Sequence, residues 1–128
     1  MPIITDFTLP TSPASLETPK DTLFLAFIAS NEPSTGQSWC PDVRAALPVL
    51  QKEFSSADSQ DLAFVEVGQR PEWRDPMNVF RQKWVVSSVP TLVKFEKENG
   101  GLREVGRLVE GEILDQQKLK ALIDGDSA

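Results

Sequence analysis

The stretch Gly36–Phe54, GQSWCPDVRAALPVLQKEF, joins a polar approach to an amphipathic helical pattern, and Cys40, the single cysteine of the chain, stands at the joint. Pro41 suits the first turn of a helix, where its missing N–H costs nothing, and Val43, Leu47, Leu50 and Phe54 follow at helical spacing. Cys40 therefore falls at the helix N-terminus, where free N–H groups and a partial positive charge favour a thiolate over a thiol. Arg44, one turn further on, adds to that preference, whereas the carboxylate of Asp42 opposes it. On this reading Cys40 is a solvent-accessible nucleophile; the competing reading is a buried and inert cysteine. Trp39 is expected at the rim, covering the sulfur and offering an apolar contact to a partner, against the alternative of an ordinary core aromatic.

Working outward, Thr22 to Ala29 is a nearly continuous apolar run and reads as a strand buried on both faces. Ser30 to Ser38 is then a loop that delivers the chain to Cys40. Leu62 to Val67 reads as a second strand, and Asp75-Pro76 as the cap and first position of a short helix that buries Met77, Phe80 and Trp84. Trp73, Phe80 and Trp84 are read as packing residues. Val89 to Phe95 and Leu102 to Val109 form a hairpin joined at Asn99-Gly100, and the charged run Lys94 to Glu98 reads as a solvated turn. A last helix follows Asp115 as cap, with Leu114 folded against Leu119 as a staple and an end near Gly125. Prolines 2, 10, 13 and 19 leave residues 1–20 partly irregular, apart from one short element.

The 128 residues, 40% hydrophobic and 25% charged, fit a single domain over 1–128. A formal charge of −6 disfavours nucleic acid, and no apolar run is long enough for a membrane span. The absence of histidine removes Cys-His pairs, Ser-His-Asp triads and histidine metal sites together, so no metal site is expected. One cysteine excludes an intrachain disulfide and leaves only pairing with another molecule. With no secretory-type leader in view, the expectation is a soluble, cytoplasmic monomer that can be linked through Cys40 into a dimer under oxidation.

The order strand, helix, strand, helix, hairpin, helix, with Trp-Cys-Pro at the first helix and Val89-Pro90-Thr91 opening the hairpin, resembles the thioredoxin superfamily. Pro48 stands at the offset of that family's helix-kinking proline. More specifically, Ser38 to Asp42 and Val67 to Arg81 are similar to the small cytosolic thioredoxin-related proteins that carry a Trp-Cys-Pro-Asp-Cys motif. The resemblance implies an α/β thioredoxin fold, a central mixed sheet of four to five strands flanked by helices. It also implies a cis peptide at Val89-Pro90 lying against Cys40, with Val89, Pro90, Thr91 and Trp39 binding substrate and free backbone groups at the proline loop to pair with it. By the same resemblance Asp42 helps to select substrates. Two positions depart from the pattern: Val43 replaces the resolving cysteine, and Ala26 stands where thioredoxins proper keep a buried aspartate.

Those departures concern one step. In the family mechanism the first thiolate attacks a disulfide and the second cysteine expels the product, so Cys40 begins a cycle that Val43 cannot finish. The expected function is a monothiol thioredoxin-like oxidoreductase of the disulfide reductase type. Cys40 acts on protein or small-thiol disulfides, Pro41, Asp42 and Arg44 tune it, and an external thiol such as glutathione resolves the adduct; no cofactor is bound. The alternative is a redox-inactive thioredoxin-fold binding module that captures client peptides or thiols. An iron–sulfur carrier of the monothiol type ranks below both, because a Cys-Gly-Phe-Ser site is absent.

Overall fold

The computed structural model describes residues 3–4, 9–10, 16, 21–55, 60–98 and 101–124. Among them the elements run β1 (Ile3–Ile4), β2 (Thr22–Ile28), α1 (Pro41–Glu53), β3 (Asp61–Glu66), α2 (Arg70–Arg74), α3 (Val79–Gln82), β4 (Thr91–Glu98), β5 (Gly101–Val109), a 3₁₀ turn at Glu110–Leu114, and α4 (Gln116–Asp124). The strands form one mixed sheet in the order β1-β3-β2-β4-β5. β1 and β2 flank β3 in parallel, and β4 and β5 are antiparallel. This is the expected architecture with five strands.

The centre of the sheet is β2, whose Leu23 to Phe27 are fully buried because both faces are covered. Alternation along the strand sends Phe24 to one face and Phe27 to the other. Phe24 meets Phe54, at the end of α1, edge-on with ring centroids 5.0 Å apart. Phe27 meets Phe80 of α3 and Trp84, at 6.0 and 5.9 Å, and Trp84 in turn meets Phe95 of β4. Helix α1 buries Val43, Ala46 and Leu50 against the first face, so the apolar spacing read from the sequence does settle the helix orientation.

Several local expectations are corrected. The segment after β3 forms two short helices: Asp75 closes α2, and Asn78, whose Oδ1 accepts from the Phe80 N–H at 2.9 Å, starts α3. Asp75 instead accepts from the Met77 N–H, and Met77 points outward, 70% exposed. Lys94 to Glu98 are strand, not turn, and Lys94 is only 3% exposed. Its Nζ donates to the Leu122 carbonyl at 2.9 Å and lies 5.7 Å from the centre of the Phe24 ring. A charge is tolerated there because the last turn of α4 offers carbonyls that no helical N–H reaches and Glu96 Oε2 lies 3.6 Å from Nζ. Asp115 does cap α4, accepting from the Gln117 and Lys118 N–H groups, but Leu114 is 45% exposed and the 3₁₀ turn sends Ile113 inward instead. The Asn99-Gly100 turn and Gly125 lie outside the described residues, as does most of the 1–20 segment.

Beyond the last paired residues of β2 and β3 the two chains stay tied. The Val67 N–H donates to the Ile28 carbonyl at 2.9 Å, the Ser30 N–H to the Gly68 carbonyl at 3.2 Å, and the Gly68 N–H to Ser30 Oγ at 3.1 Å. Gly68 has φ +110°, and a Cβ there would lie 2.8 Å from Glu72 Cβ. Glycine is required on both counts. Gly68→Ala should therefore lower unfolding stability in urea by about 1–3 kcal/mol. Lys94→Ala should cost about 2–3 kcal/mol by stranding the α4 carbonyls and opening a gap. Lys94→Met, which keeps the packing, should cost clearly less in the same titration.

Candidate functional site

The site is built where β2 ends and α1 begins. After β2 the chain makes a tight excursion: the Glu32 N–H donates to the Gln37 carbonyl at 2.8 Å, the Gly36 N–H to the Glu32 carbonyl at 2.8 Å, and Asn31 bridges to Ser38. Ser38 is buried and its hydroxyl serves twice, donating to the Ala29 carbonyl at 2.9 Å and accepting the Cys40 N–H at 3.3 Å. One hydroxyl thus fixes the residue before the helix to the end of the central strand, which uses both its donor and its acceptor capacity. Cys40 is the N-cap residue of α1, in extended conformation, and its carbonyl accepts the Arg44 N–H at 3.1 Å.

At the same end of the sheet, the residues preceding β4 bring a second piece of backbone to the sulfur. The Val89-Pro90 peptide is cis. Cys40 Sγ lies 3.7 Å from the Val89 carbonyl oxygen, within reach of a weak S–H donor. The Pro90 carbonyl accepts the Glu110 N–H at 2.8 Å, and Thr91 Oγ1 donates to the Ser88 carbonyl at 2.7 Å. The cysteine, the helix start and the proline loop are thus brought together as expected. The backbone carbonyls of Val89 and Pro90 are not idle, however: Pro90 is held by the Glu110 N–H, and among the described residues Val89 is met by the weak sulfur donor.

Three side chains sit differently from their expected roles. Cys40 is 9% exposed, a buried residue and not the solvent-accessible thiol expected, with the Val89 carbonyl oxygen of the loop 3.7 Å from its sulfur. Arg44 Nη1 donates to the Ser38 carbonyl at 2.6 Å, so its guanidinium braces the backbone that leads into Cys40. Trp39 is half-buried and turned toward the residues after β3: Nε1 donates to the Gly68 carbonyl at 2.9 Å, and Arg70 stacks on the ring with its guanidinium carbon 4.9 Å from the centroid. Pro41 and Asp42 are exposed on the first turn. Val43 is completely buried, facing the core one turn beyond Cys40.

Ser30, Ser38, Gly68 and Arg70 were not singled out from the sequence. Ser30 and Ser38 are small polar residues at the two ends of a polar loop, and nothing in their spacing announces that they close on each other. Gly68 at the exit of a strand was the one available signal, since a glycine there permits left-handed backbone and close approach.

Residues 7–124 match the family described as thioredoxin domain-containing protein 17-like, thioredoxin domain. A thioredoxin domain-containing protein of Schizosaccharomyces pombe is 42% identical over 104 residues, covering 81% of this chain and 84% of its own. Human thioredoxin domain-containing protein 17 is 35% identical over 107 residues, covering 82% of this chain and 80% of its own. In fold, Plasmodium falciparum thioredoxin superposes with a TM-score of 0.58 at 12% identity, covering 83% of this chain and 74% of that one. Trichomonas vaginalis thioredoxin gives 0.53 at 18% identity, with 84% and 80% covered. With a sheet, a cis-proline loop and a helix-capping cysteine arranged as described, the chain belongs to the thioredoxin domain-containing protein 17-like family of the thioredoxin superfamily.

Proposed function

We propose that this thioredoxin-like protein is a monothiol oxidoreductase in which Cys40 attacks disulfides and an external thiol completes the cycle. The observation that carries the reading is the Val89 carbonyl 3.7 Å from Cys40 Sγ, next to the cis peptide and at the start of α1. In the first step the Cys40 thiolate attacks one sulfur of R–S–S–R′. A Cys40–S–S–R bond forms, the substrate S–S bond breaks, and R′–S⁻ leaves with the electron pair. A glutathione thiolate then attacks the R sulfur, releasing R–S–SG and restoring the Cys40 thiolate; a second glutathione converts R–S–SG to R–SH and oxidised glutathione. No internal sulfur takes part, since Val43 occupies that position.

The proline loop supports this step in a specific way. Once Cys40 is a thiolate or a mixed disulfide it has no proton to donate, so the Val89 carbonyl is released to accept a backbone N–H from an extended substrate. Val89 and Pro90 then flank the bound strand, Thr91, fully buried, braces their loop through the Ser88 carbonyl, and Arg44 and Ser38 hold the backbone of the nucleophile in place. Protein disulfides and small-thiol adducts in the cytoplasm are the substrates that fit, with the protein acting as a monomer. The acidic surface turns nucleic acid away.

A second reading is favoured by two observations: Cys40 is buried, and Ala26, fully buried in the middle of β2, carries a methyl that cannot accept a proton. On that reading the groove holds clients without turnover, and Cys40 is a capture hook.

Alkylation by iodoacetamide and a glutathione-coupled disulfide reduction assay separate the two. Wild type should reduce a small disulfide only when glutathione is supplied; a protein that never turns over but retains a mixed disulfide indicates the binding module. Cys40→Ser should abolish adduct formation while changing stability by less than about 1 kcal/mol, as the hydroxyl can still donate to Val89. Val43→Cys should form an internal disulfide across one helical turn and gain thioredoxin-reductase-dependent activity, measured by NADPH consumption. Its recovery should be partial, because Ala26 remains.

A further inference from the structure

Beside Trp39 lies an open cleft of about 500 Å³ lined by Glu32, Trp39, Gln69, Arg70, Pro71 and Arg74. Its charge runs against that of the chain: two arginines and one glutamate give +1, on a protein of −6. Neither Arg70 nor Arg74 forms an ion pair among the described residues, although acids are close in sequence. Those acids are engaged elsewhere: Glu72 accepts the Gln69 N–H at 2.8 Å, and Asp75 accepts the Met77 N–H at 2.9 Å. Arg70 is fixed in place by its stack on the Trp39 ring and by Nη2 donating to the Trp39 carbonyl at 3.2 Å, which leaves the rest of its fork open to the cleft. The wall of the cleft also begins one residue from the nucleophile, since Trp39 and Cys40 are adjacent and their Cα atoms lie about 3.8 Å apart.

We infer that this cleft selects protein disulfides flanked by acidic residues, Arg70 and Arg74 taking the carboxylates of the client peptide while its half-cystine lies on Cys40. The inference rests on the reading of Cys40 as the atom that meets the disulfide, and supplies its substrate class. A guanidinium held over an indole and hydrogen-bonded to backbone presents its remaining N–H groups to a carboxylate in fixed orientation, which a mobile lysine would not do. The partner is a peptide because the cleft adjoins the Val89 carbonyl site through Cys40, so a chain paired there carries its neighbouring side chains past Trp39. Glu32, the one acid of the lining, disfavours clients that crowd carboxylates on its side.

The recognition is tested apart from the chemistry. The Cys40→Ala protein, which has neither a thiol nor a donor to the Val89 carbonyl, is titrated with two peptides identical except for Glu or Lys on either side of a central serine, following the Trp39 indole N–H by NMR. The Glu peptide should bind, shift that signal, and weaken as NaCl rises from 50 mM to 0.5 M, where screening shortens to within about one contact distance. Arg70→Gln with Arg74→Gln should weaken it about fivefold or more, the scale of one or two exposed ion pairs. Arg74→Gln alone, which leaves the Arg70–Trp39 contact intact, should show part of that loss. Equal binding of the two peptides, tighter binding of the Lys peptide, or no binding of the Glu peptide overturns the inference. In parallel, wild type is mixed with uncharged 4,4′-dithiodipyridine: failure of Cys40 to react there sinks the oxidoreductase reading, whatever the peptides do.

Discussion

A strand that is apolar on both faces has to be covered on both faces, and this constraint on Leu23–Ile28 organises the molecule. It fixes β2 at the middle of the sheet, places α1 and α4 over Phe24, and places α3 with Trp84 over Phe27. Because β2 is central and parallel to β3, its carboxyl end opens next to that of β3, where loops from both strands must meet. The antiparallel entry of β4 then brings the proline loop to the same end. The three components of the site converge there as a result of covering one strand.

What holds them at that end is polar and local. Ser30 ties to Gly68, Ser38 ties Ala29 to Cys40, and Trp39 reaches across to Gly68, so that β2, β3 and the helix start are stitched through two hydroxyls, one glycine and an indole. In a buried setting such bonds are mutually dependent, since losing one partner strands another. Arg44 completes the arrangement by holding the Ser38 carbonyl. Its guanidinium thus braces the backbone that leads into Cys40.

Features set by period or by a single residue type were legible in the sequence. The apolar run of β2, the helical spacing after Pro41, and the Val89-Pro90-Thr91 opening of β4 each led to the correct element and the correct meeting of Cys40 with the proline loop. Features set by long-range closure were not. Lys94 looked like part of a solvated turn because four of the five residues in Lys94–Glu98 are charged, yet the alternation of the strand turns it inward, where only the tertiary approach of α4 supplies carbonyls for it. Met77 was misplaced because Asp75-Pro76 imitates a helix start, while the cap that forms is three residues later at Asn78. The burial of Cys40 had the same origin: the carbonyl that meets its sulfur belongs to Val89, 49 positions away.

The buried valine behind Cys40 also changes what oxidation means for this chain. A protein with two facing sulfurs can lose two electrons and close on itself with almost no change in mass or composition. With Val43 in that place, the sulfur cannot be oxidised without acquiring something, whether an oxygen, a small thiol or another chain. Each of these adducts is therefore a heavier molecule with a different surface at Cys40, and it carries the chemical identity of whatever oxidised or captured it. The redox state of this protein is a record of its last encounter, readable from intact mass.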